Sequence, residues 1–111
     1  MGYYTRFEIK ESSDPDFASH VEDVIGYVPF GDTDEVKWYE HEDDIARVML
    51  AYEVDHVEIH GQGEGDRDEA DIWDKVFDRE VDGDGEAIVS MMEFKYELRV
   101  PEEPTRVREF R

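Results

Sequence analysis

Hydrophobic and polar residues alternate along three stretches of the chain, and each stretch predicts a β-strand with one buried face. Residues 3–10 place Phe7 and Ile9 on one side of a first strand, and residues 54–62 place Val57 and Ile59 on one side of another. The clearest alternation, 92–100, predicts a strand that buries Met92, Phe94, Tyr96, Leu98 and Val100 and exposes Glu93, Lys95, Glu97 and Arg99.

Two other stretches have the spacing of helices. The run Ser13-Asp14-Pro15 is typical of an N-cap followed by a proline in the first turn, and Gly26 is typical of a helix end, so a helix is predicted over 15–26. A second helix is predicted over 41–53, with three acidic residues in the first turn, where the helix dipole favours negative charge. Phe17, Val21, Val24 and Val28 recur at helical spacing along and just beyond the first helix, and Ile45, Val48, Met49 and Tyr52 do so in the second.

Residues 70–80 fit a helix or a strand by spacing alone. A strand is favoured because the run Asp82-Gly83-Asp84-Gly85 that follows has the composition of a hairpin turn. With a short extended piece at 36–39, the predicted order is β-α-β-α-β-β-β. We therefore expect an α+β fold with two helices on one face of a mainly antiparallel sheet. Residues 1–100 form one domain in this prediction, and residues 101–111 form an extended C-terminal tail.

Charge narrows the possible partners of the chain. It has 32 acidic and 12 basic residues, a net charge of -20. This balance excludes direct binding to nucleic acid and to anionic membranes, because both need basic residues. Either the surface is adapted to molar salt, where the Debye length falls to about 3 Å, or the acids imitate nucleic-acid phosphates to occupy a basic groove of a partner. The absence of Asn, the single Gln and the spread of acids over the whole chain favour salt adaptation.

Several sites and signals are not predicted. The chain has no cysteine, so disulfides and thiolate metal sites are excluded. It lacks an apolar run of membrane-spanning length and the layout of a signal peptide, so the expected location is the cytoplasm of a host cell. The glycine-rich run 61–65 lacks the lysine and hydroxyl residue of a phosphate-binding loop. No serine has a nucleophile-elbow context. We therefore expect no catalytic residue and no cofactor.

Two groups of residues are weak candidates for a divalent metal ion. Asp82, Asp84 and Glu86 resemble part of a calcium loop, but neither possible register has both the required glycine and the final carboxylate. An acidic hairpin turn explains them better. His56, Glu58 and His60 are spaced two apart, so a strand would place them on one face, where they could ligate zinc. A polar solvent-facing side of the strand is the simpler interpretation.

The large aromatic residues suggest a second kind of site. Trp38, Tyr39 and Trp73 are expected to pack in the core or at a sheet edge, but if exposed they would be anchors for a protein partner. The candidate partner-binding residues are Trp38, Tyr39, His41, Glu42, Asp43, Asp44, Glu64, Asp66, Asp71 and Trp73.

Two blocks of sequence carry a resemblance to a family. Residues 37–45, KWYEHEDDI, resemble a KWYxHExDM block, and residues 61–77 resemble a following GEGEE…GDIWxKYF block. Together with the start Gly2-Tyr3-Tyr4-Thr5, they are similar to a family of small, functionally uncharacterised proteins of tailed phages and prophages. The resemblance covers about residues 2–10 and 37–80. It implies a strand at 70–80 and a viral origin. The chain departs from the pattern in its longer turn, 80–86, and its more acidic surface.

These observations lead to one expectation and two alternatives. The chain is expected to be a non-catalytic viral or proviral accessory protein that binds a protein of the host or the virus, with a surface adapted to the high salt of a halophilic host. The first alternative is a nucleic-acid mimic that inhibits a host defence or DNA-processing enzyme. The second is a weak divalent-metal-binding module.

Overall fold

A computed structural model describes residues 5–30, 38, 40–63, 72–95, 104 and 106–111. Over these residues two helices and a five-stranded antiparallel sheet confirm the predicted α+β class. The elements are β1 (Thr5–Ser12), α1 (Phe17–Ile25), α2 (His41–Tyr52), β2 (His56–Gly63), β3 (Ile72–Val81), β4 (Ala87–Lys95) and β5 (Arg106–Phe110).

The sheet is a meander in which the strands lie side by side in chain order, and each is antiparallel to the next. The strand predicted over 70–80 is confirmed as β3, and the acidic turn after it joins β3 to β4 in a hairpin. Of the extended piece predicted at 36–39, only Trp38 lies within the described residues. The segment 101–111, predicted as a tail, contributes β5 to the edge of the sheet.

Both helices pack on one face of the sheet, here called the inner face, and the opposite side is the outer face. Alternation along the strands sends Phe7, Val57 and Ile59 inward, as predicted. They form one core with the apolar sides of α1 and α2, and this core is completed by Phe17, Val21, Trp38, Ile45, Ala46, Val48, Met49, Val54, Trp73, Phe77, Val89 and Met91.

The helix ends follow from local chemistry. α1 ends where Gly26 adopts a left-handed conformation with φ 92°, and its N–H donates to the carbonyl oxygen of Glu22. This conformation is easiest for glycine, which has no Cβ to clash. α2 begins with the acidic turn Glu42-Asp43-Asp44, as its sequence predicted.

The predicted orientation of the last long strand is wrong. Met92 and Phe94 were expected to be buried, but β4 turns Val89, Met91 and Glu93 inward and leaves Met92 and Phe94 half-buried on the outer face. The prediction assumed that a charged residue points to solvent. Glu93 is instead buried beside cationic side chains of the inner face. The inward-facing positions of β4 are therefore displaced by one residue from the predicted ones. Residues 96–100 lie outside the described part of the chain.

Candidate functional site

A set of five charged side chains on the inner face, three of them buried, joins α2 to three strands and is here called the inner network. It consists of Glu42 from α2, Lys75 from β3, Glu93 from β4, and Arg106 and Arg108 from β5. Lys75 Nζ lies 2.6 Å from Glu42 Oε2 and 3.6 Å from Glu93 Oε1. Arg108 donates to Glu42 Oε1 at 2.8 Å, and Arg106 donates to both carboxylates. The network therefore places three cations around two buried carboxylates.

The pKa values in the inner network follow from burial and from opposite charges. Burial alone would raise the pKa of Glu42, but the hydrogen bonds from Lys75, Arg108 and Arg106 outweigh it and hold the pKa at about 2. Burial lowers the pKa of Lys75, and the adjacent Glu42 and Glu93 carboxylates oppose that shift. Each buried charge is thus stabilised by its partners, and removing one partner would leave another buried charge with less compensation.

His41, at the start of α2, adds a neutral imidazole to the inner network. Its Nδ1 donates to the carbonyl oxygen of Trp38 at 2.8 Å, so its Nε2 is free to accept from Lys75 Nζ at 2.5 Å. Burial, and then the charge of Lys75, lower the pKa of His41 to about 4. The ring stacks on Trp73 at a centroid distance of 5.2 Å. His41 is therefore an uncharged bridge between the aromatic core and Lys75 at neutral pH.

The two tryptophans are core residues. Trp38 is 5% exposed and Trp73 is 4% exposed, which confirms the expected packing role. The Trp38 Nε1–H donates to Asp44 Oδ2 at 2.7 Å, and Arg47 donates to the same carboxylate at 2.6 Å. The indole N–H therefore has a buried acceptor, and the apolar part of the ring packs in the core, so the whole side chain is accommodated inside the fold.

Trp73 also explains a glycine of the sheet. Gly61 lies opposite Trp73 in the β2–β3 ladder, and the indole ring covers it. A Cβ added to Gly61 would lie 2.2 Å from a ring carbon, far inside van der Waals contact. This first glycine of the run 61–65 therefore has a packing role.

The predicted partner-binding residues are divided between the core and the surface. Trp38, Glu42, Asp44 and Trp73 are buried, and His41 is largely enclosed. Asp43 is exposed and pairs with Arg108 at 3.2 Å. The remaining predicted residues, Tyr39, Glu64, Asp66 and Asp71, lie outside the described part of the chain.

The outer face carries a second group of ionisable residues, here called the outer cluster: Glu11, His56, Glu58 and Asp78. His56 Nδ1 lies 2.5 Å from Asp78 Oδ1, and its Nε2 lies 3.1 Å from Glu58 Oε2 and 3.8 Å from Glu11 Oε2. The hydrogen bond with Asp78 and the nearby Glu58 raise the pKa of His56. The hydrogen bond between the two glutamates raises the pKa of Glu11 and lowers that of Glu58.

A β-bulge places Glu11 in the outer cluster. The pairing of β1 with β2 shifts between Ile9 and Glu11, so that Ile9 lies opposite Ile59 and Glu11 lies opposite Glu58. A regular ladder would instead place Lys10 opposite Glu58 and turn Glu11 toward the core. The extra residue therefore decides which side of the sheet Glu11 occupies.

The predicted metal ligands come together only in part. Ligand atoms of His56, Glu58 and Glu11, one from each residue, lie within 4.8 Å of one another. His60 is not part of this group, because its Nδ1 pairs with Asp74 at 2.8 Å. Sequence reasoning missed Glu11, because the alternation of β1 gives no sign of the bulge. In the turn, Asp82 Oδ1 accepts hydrogen bonds from the backbone N–H groups of Asp84 and Glu86, which fits the predicted acidic hairpin turn.

The β3–β5 half of the outer face contains a group of neighbouring apolar side chains, which we call the outer apolar patch: Val76, Met92, Phe94 and Val107. Val76 pairs with Met92, and Met92 pairs with Val107, so three strands contribute neighbouring side chains. Val107 is 59% exposed and the other three are half-buried. Both described helices lie on the inner face, so neither of them covers this patch.

Comparisons with known proteins leave the family open. No family model, curated protein or solved structure matches the chain. The resemblance to phage and prophage proteins therefore stays a prediction from the two sequence blocks. Neither described helix is long and apolar enough to cross a membrane.

Proposed function

We propose that the chain is a non-catalytic binding protein of a virus or provirus, and that it contacts another protein through the outer apolar patch. The observation that carries the proposal is the position of this patch. Both described helices pack on the inner face, while Val76, Met92, Phe94 and Val107 lie together on the other side of the sheet. Apolar side chains ringed by charged ones are typical of protein interaction surfaces.

The charge around the patch indicates the chemistry of the partner. The outer face has the basic residues Arg6 and Lys10 on β1, whereas its acidic residues occur on β1, β2, β3 and β5: Glu8, Glu11, Glu58, Asp74, Asp78, Glu80 and Glu109. A partner with an apolar anchor inside a basic rim would match both features. Opposite charges would accelerate association, and added salt would slow it.

The inner network supports a non-catalytic role. Its cations Lys75, Arg106 and Arg108 all contact buried carboxylates, and these pairs join α2 to β3, β4 and β5. Such pairs stabilise the relative positions of the elements. The groups whose pKa values are shifted most therefore have a role in holding the fold together.

The distribution of acids supports adaptation to high salt over imitation of nucleic acid. Exposed acids occur on α1 at Glu22 and Asp23, on α2 at Asp43, and in the hairpin at Asp84 and Glu86, as well as on the outer face. A mimic of DNA would concentrate its charge on the side that enters the partner's groove. The resemblance to phage proteins supports the viral origin.

Affinity capture with matched variants tests the proposal. Val107 is 59% exposed in the outer apolar patch, and Val81 is 56% exposed at the end of β3. We expect wild type and Val81→Glu to capture the same partner from virus-infected or provirus-carrying host cells, and Val107→Glu to lose it. Equal capture by all three proteins would overturn the use of this patch.

Two additions to the capture experiment separate the alternatives. Competition by duplex DNA would favour the mimic, because the mimic and DNA would occupy the same groove. Circular dichroism in dilute buffer and in molar KCl tests the salt adaptation. We expect an ordered fold only in the concentrated salt, where repulsion among the carboxylates is screened.

A further inference from the structure

We propose that Glu11, His56 and Glu58 form a binding site for a divalent transition-metal ion, with Zn²⁺ as the best match. Their ligand atoms all lie within 4.8 Å of one another. Two ligands come from β2 and one from the bulged part of β1, so two neighbouring strands hold them. The site lies on the β1–β2 side of the outer face and borders the outer apolar patch, because Glu58 pairs with Val76. None of its three ligands belongs to that patch, so the site does not depend on the proposed protein partner.

The orientation of His56 is the first argument for a metal site. Asp78 Oδ1 lies 2.5 Å from Nδ1 and holds a proton there, which directs Nε2 toward Glu58 and Glu11. A carboxylate that fixes the far nitrogen of a histidine is the usual second layer of a zinc site. When no ion is bound, Nε2 lies within hydrogen-bond distance of Glu58 Oε2, at 3.1 Å, and can share a proton with it.

The bulge is the second argument. It replaces an attractive pair, Lys10 opposite Glu58, with a repulsive pair, Glu11 opposite Glu58. Like charges directly opposite each other destabilise a sheet. In a chain of net charge -20, a bound divalent cation would turn this repulsion into two ligand bonds.

The donor set selects the ion. One imidazole nitrogen and two carboxylate oxygens suit Zn²⁺, which commonly has three protein ligands and a water molecule at an open position. Ca²⁺ and Mg²⁺ prefer oxygen ligands throughout and would not use the imidazole. The side chain of Glu11 is 65% exposed, so the open position faces solvent.

Calorimetric titration of the full chain with ZnCl₂, in molar KCl at pH 7.5, tests the site. We expect one Zn²⁺ per chain. His56→Gln and Glu11→Gln should each weaken binding at least tenfold, and His60→Gln, a matched histidine on the same face, should leave it unchanged. Asp78→Asn should weaken binding about tenfold, because it removes the group that orients His56. Circular dichroism confirms that each variant is folded.

The competing ion and the pH complete the test. A tenfold excess of Ca²⁺ should not displace Zn²⁺, and lowering the pH to 5.5 should weaken binding, because Zn²⁺ must replace the proton on Nε2. Binding that survives His56→Gln at full strength would show that carboxylates alone hold the ion, and the proposal would be wrong. Absence of binding at pH 7.5, or equal loss with His60→Gln, would also overturn it.

Discussion

His41 and His56 lie on opposite sides of one sheet, and their pKa values move in opposite directions. His41 faces the inner network, where burial and the neighbouring Lys75 lower its pKa to about 4. His56 faces the outer cluster, where Asp78 and Glu58 raise its pKa. The residue type is the same, so burial and the sign of the neighbouring charge account for the difference.

The comparison separates two uses of charge in this protein. In the inner network, each carboxylate already has cationic partners from the chain itself, so its charge stabilises the fold. In the outer cluster, carboxylates face each other and a histidine near solvent, so their charge is available to a proton or an ion. Four changes test this contrast, and they follow from the largest expected effect to the smallest.

Replacing the central lysine should have the largest effect. Lys75→Met leaves Glu42 and Glu93 with fewer cations in a buried site, and we expect a loss of about 3–5 kcal/mol in the free energy of unfolding. Chemical denaturation in molar KCl measures it. Lys10→Met is the matched control, because Lys10 is 45% exposed and pairs with Asp74 on the outer face. We expect it to cost less than about 1 kcal/mol. Equal losses would end the distinction between the two faces.

His41 should make the protein less stable in mild acid. Its pKa is about 4 in the folded state and 6.5 ordinarily, so the unfolded chain binds the proton first as the pH falls below 6.5. We expect about 2–3 kcal/mol of stability to be lost between pH 7 and pH 4.5 through this group. His41→Gln should remove that part of the pH dependence, and His20→Gln should retain it. Denaturation at the two pH values, at constant KCl, makes the comparison.

Gly61 tests how closely the aromatic core fits the sheet beside the inner network. Gly61→Ala places a methyl group against the Trp73 ring, and we expect a loss of about 1–3 kcal/mol as the indole shifts. Gly83→Ala is the control, since a Cβ there meets no atom within 4 Å. It should change stability by less than about 0.5 kcal/mol. A smaller effect at Gly61 than at Gly83 would contradict the packing seen here.

His56→Gln should have the smallest effect on the free energy of unfolding. Its effect should depend on pH in the opposite direction to that of His41. Because the folded pKa of His56 is raised, its contribution is complete below the ordinary value of 6.5 and is lost as the pH rises through the folded value. We expect a loss of less than about 1 kcal/mol at pH 6 and a smaller loss at pH 9. A larger loss at pH 9 than at pH 6 would rule out this linkage.

The sequence predicted much of the fold, because the helices and most strands have clear periods. The inward positions of Val57 and Ile59, the acidic first turn of α2 and the strand at β3 were all foreseen. The face of β4 was not, since nothing in the local pattern shows that Glu93 meets Lys75 and Arg106 inside the fold. The outer cluster was found in part, through His56 and Glu58. Its other two members, Asp78 and Glu11, were missed. The place of Glu11 depends on the register of a strand pair, which one strand's sequence does not contain.

The bulge in β1 has a consequence for the evolution of the chain. Because Lys10 is the extra residue, its deletion would restore a regular ladder and still leave Glu11 opposite Glu58. Relatives that are one residue shorter at this point would keep all the remaining side chains of β1 on their present faces. An alignment of such relatives should therefore tolerate a gap at position 10, while the glutamate that follows it stays in place.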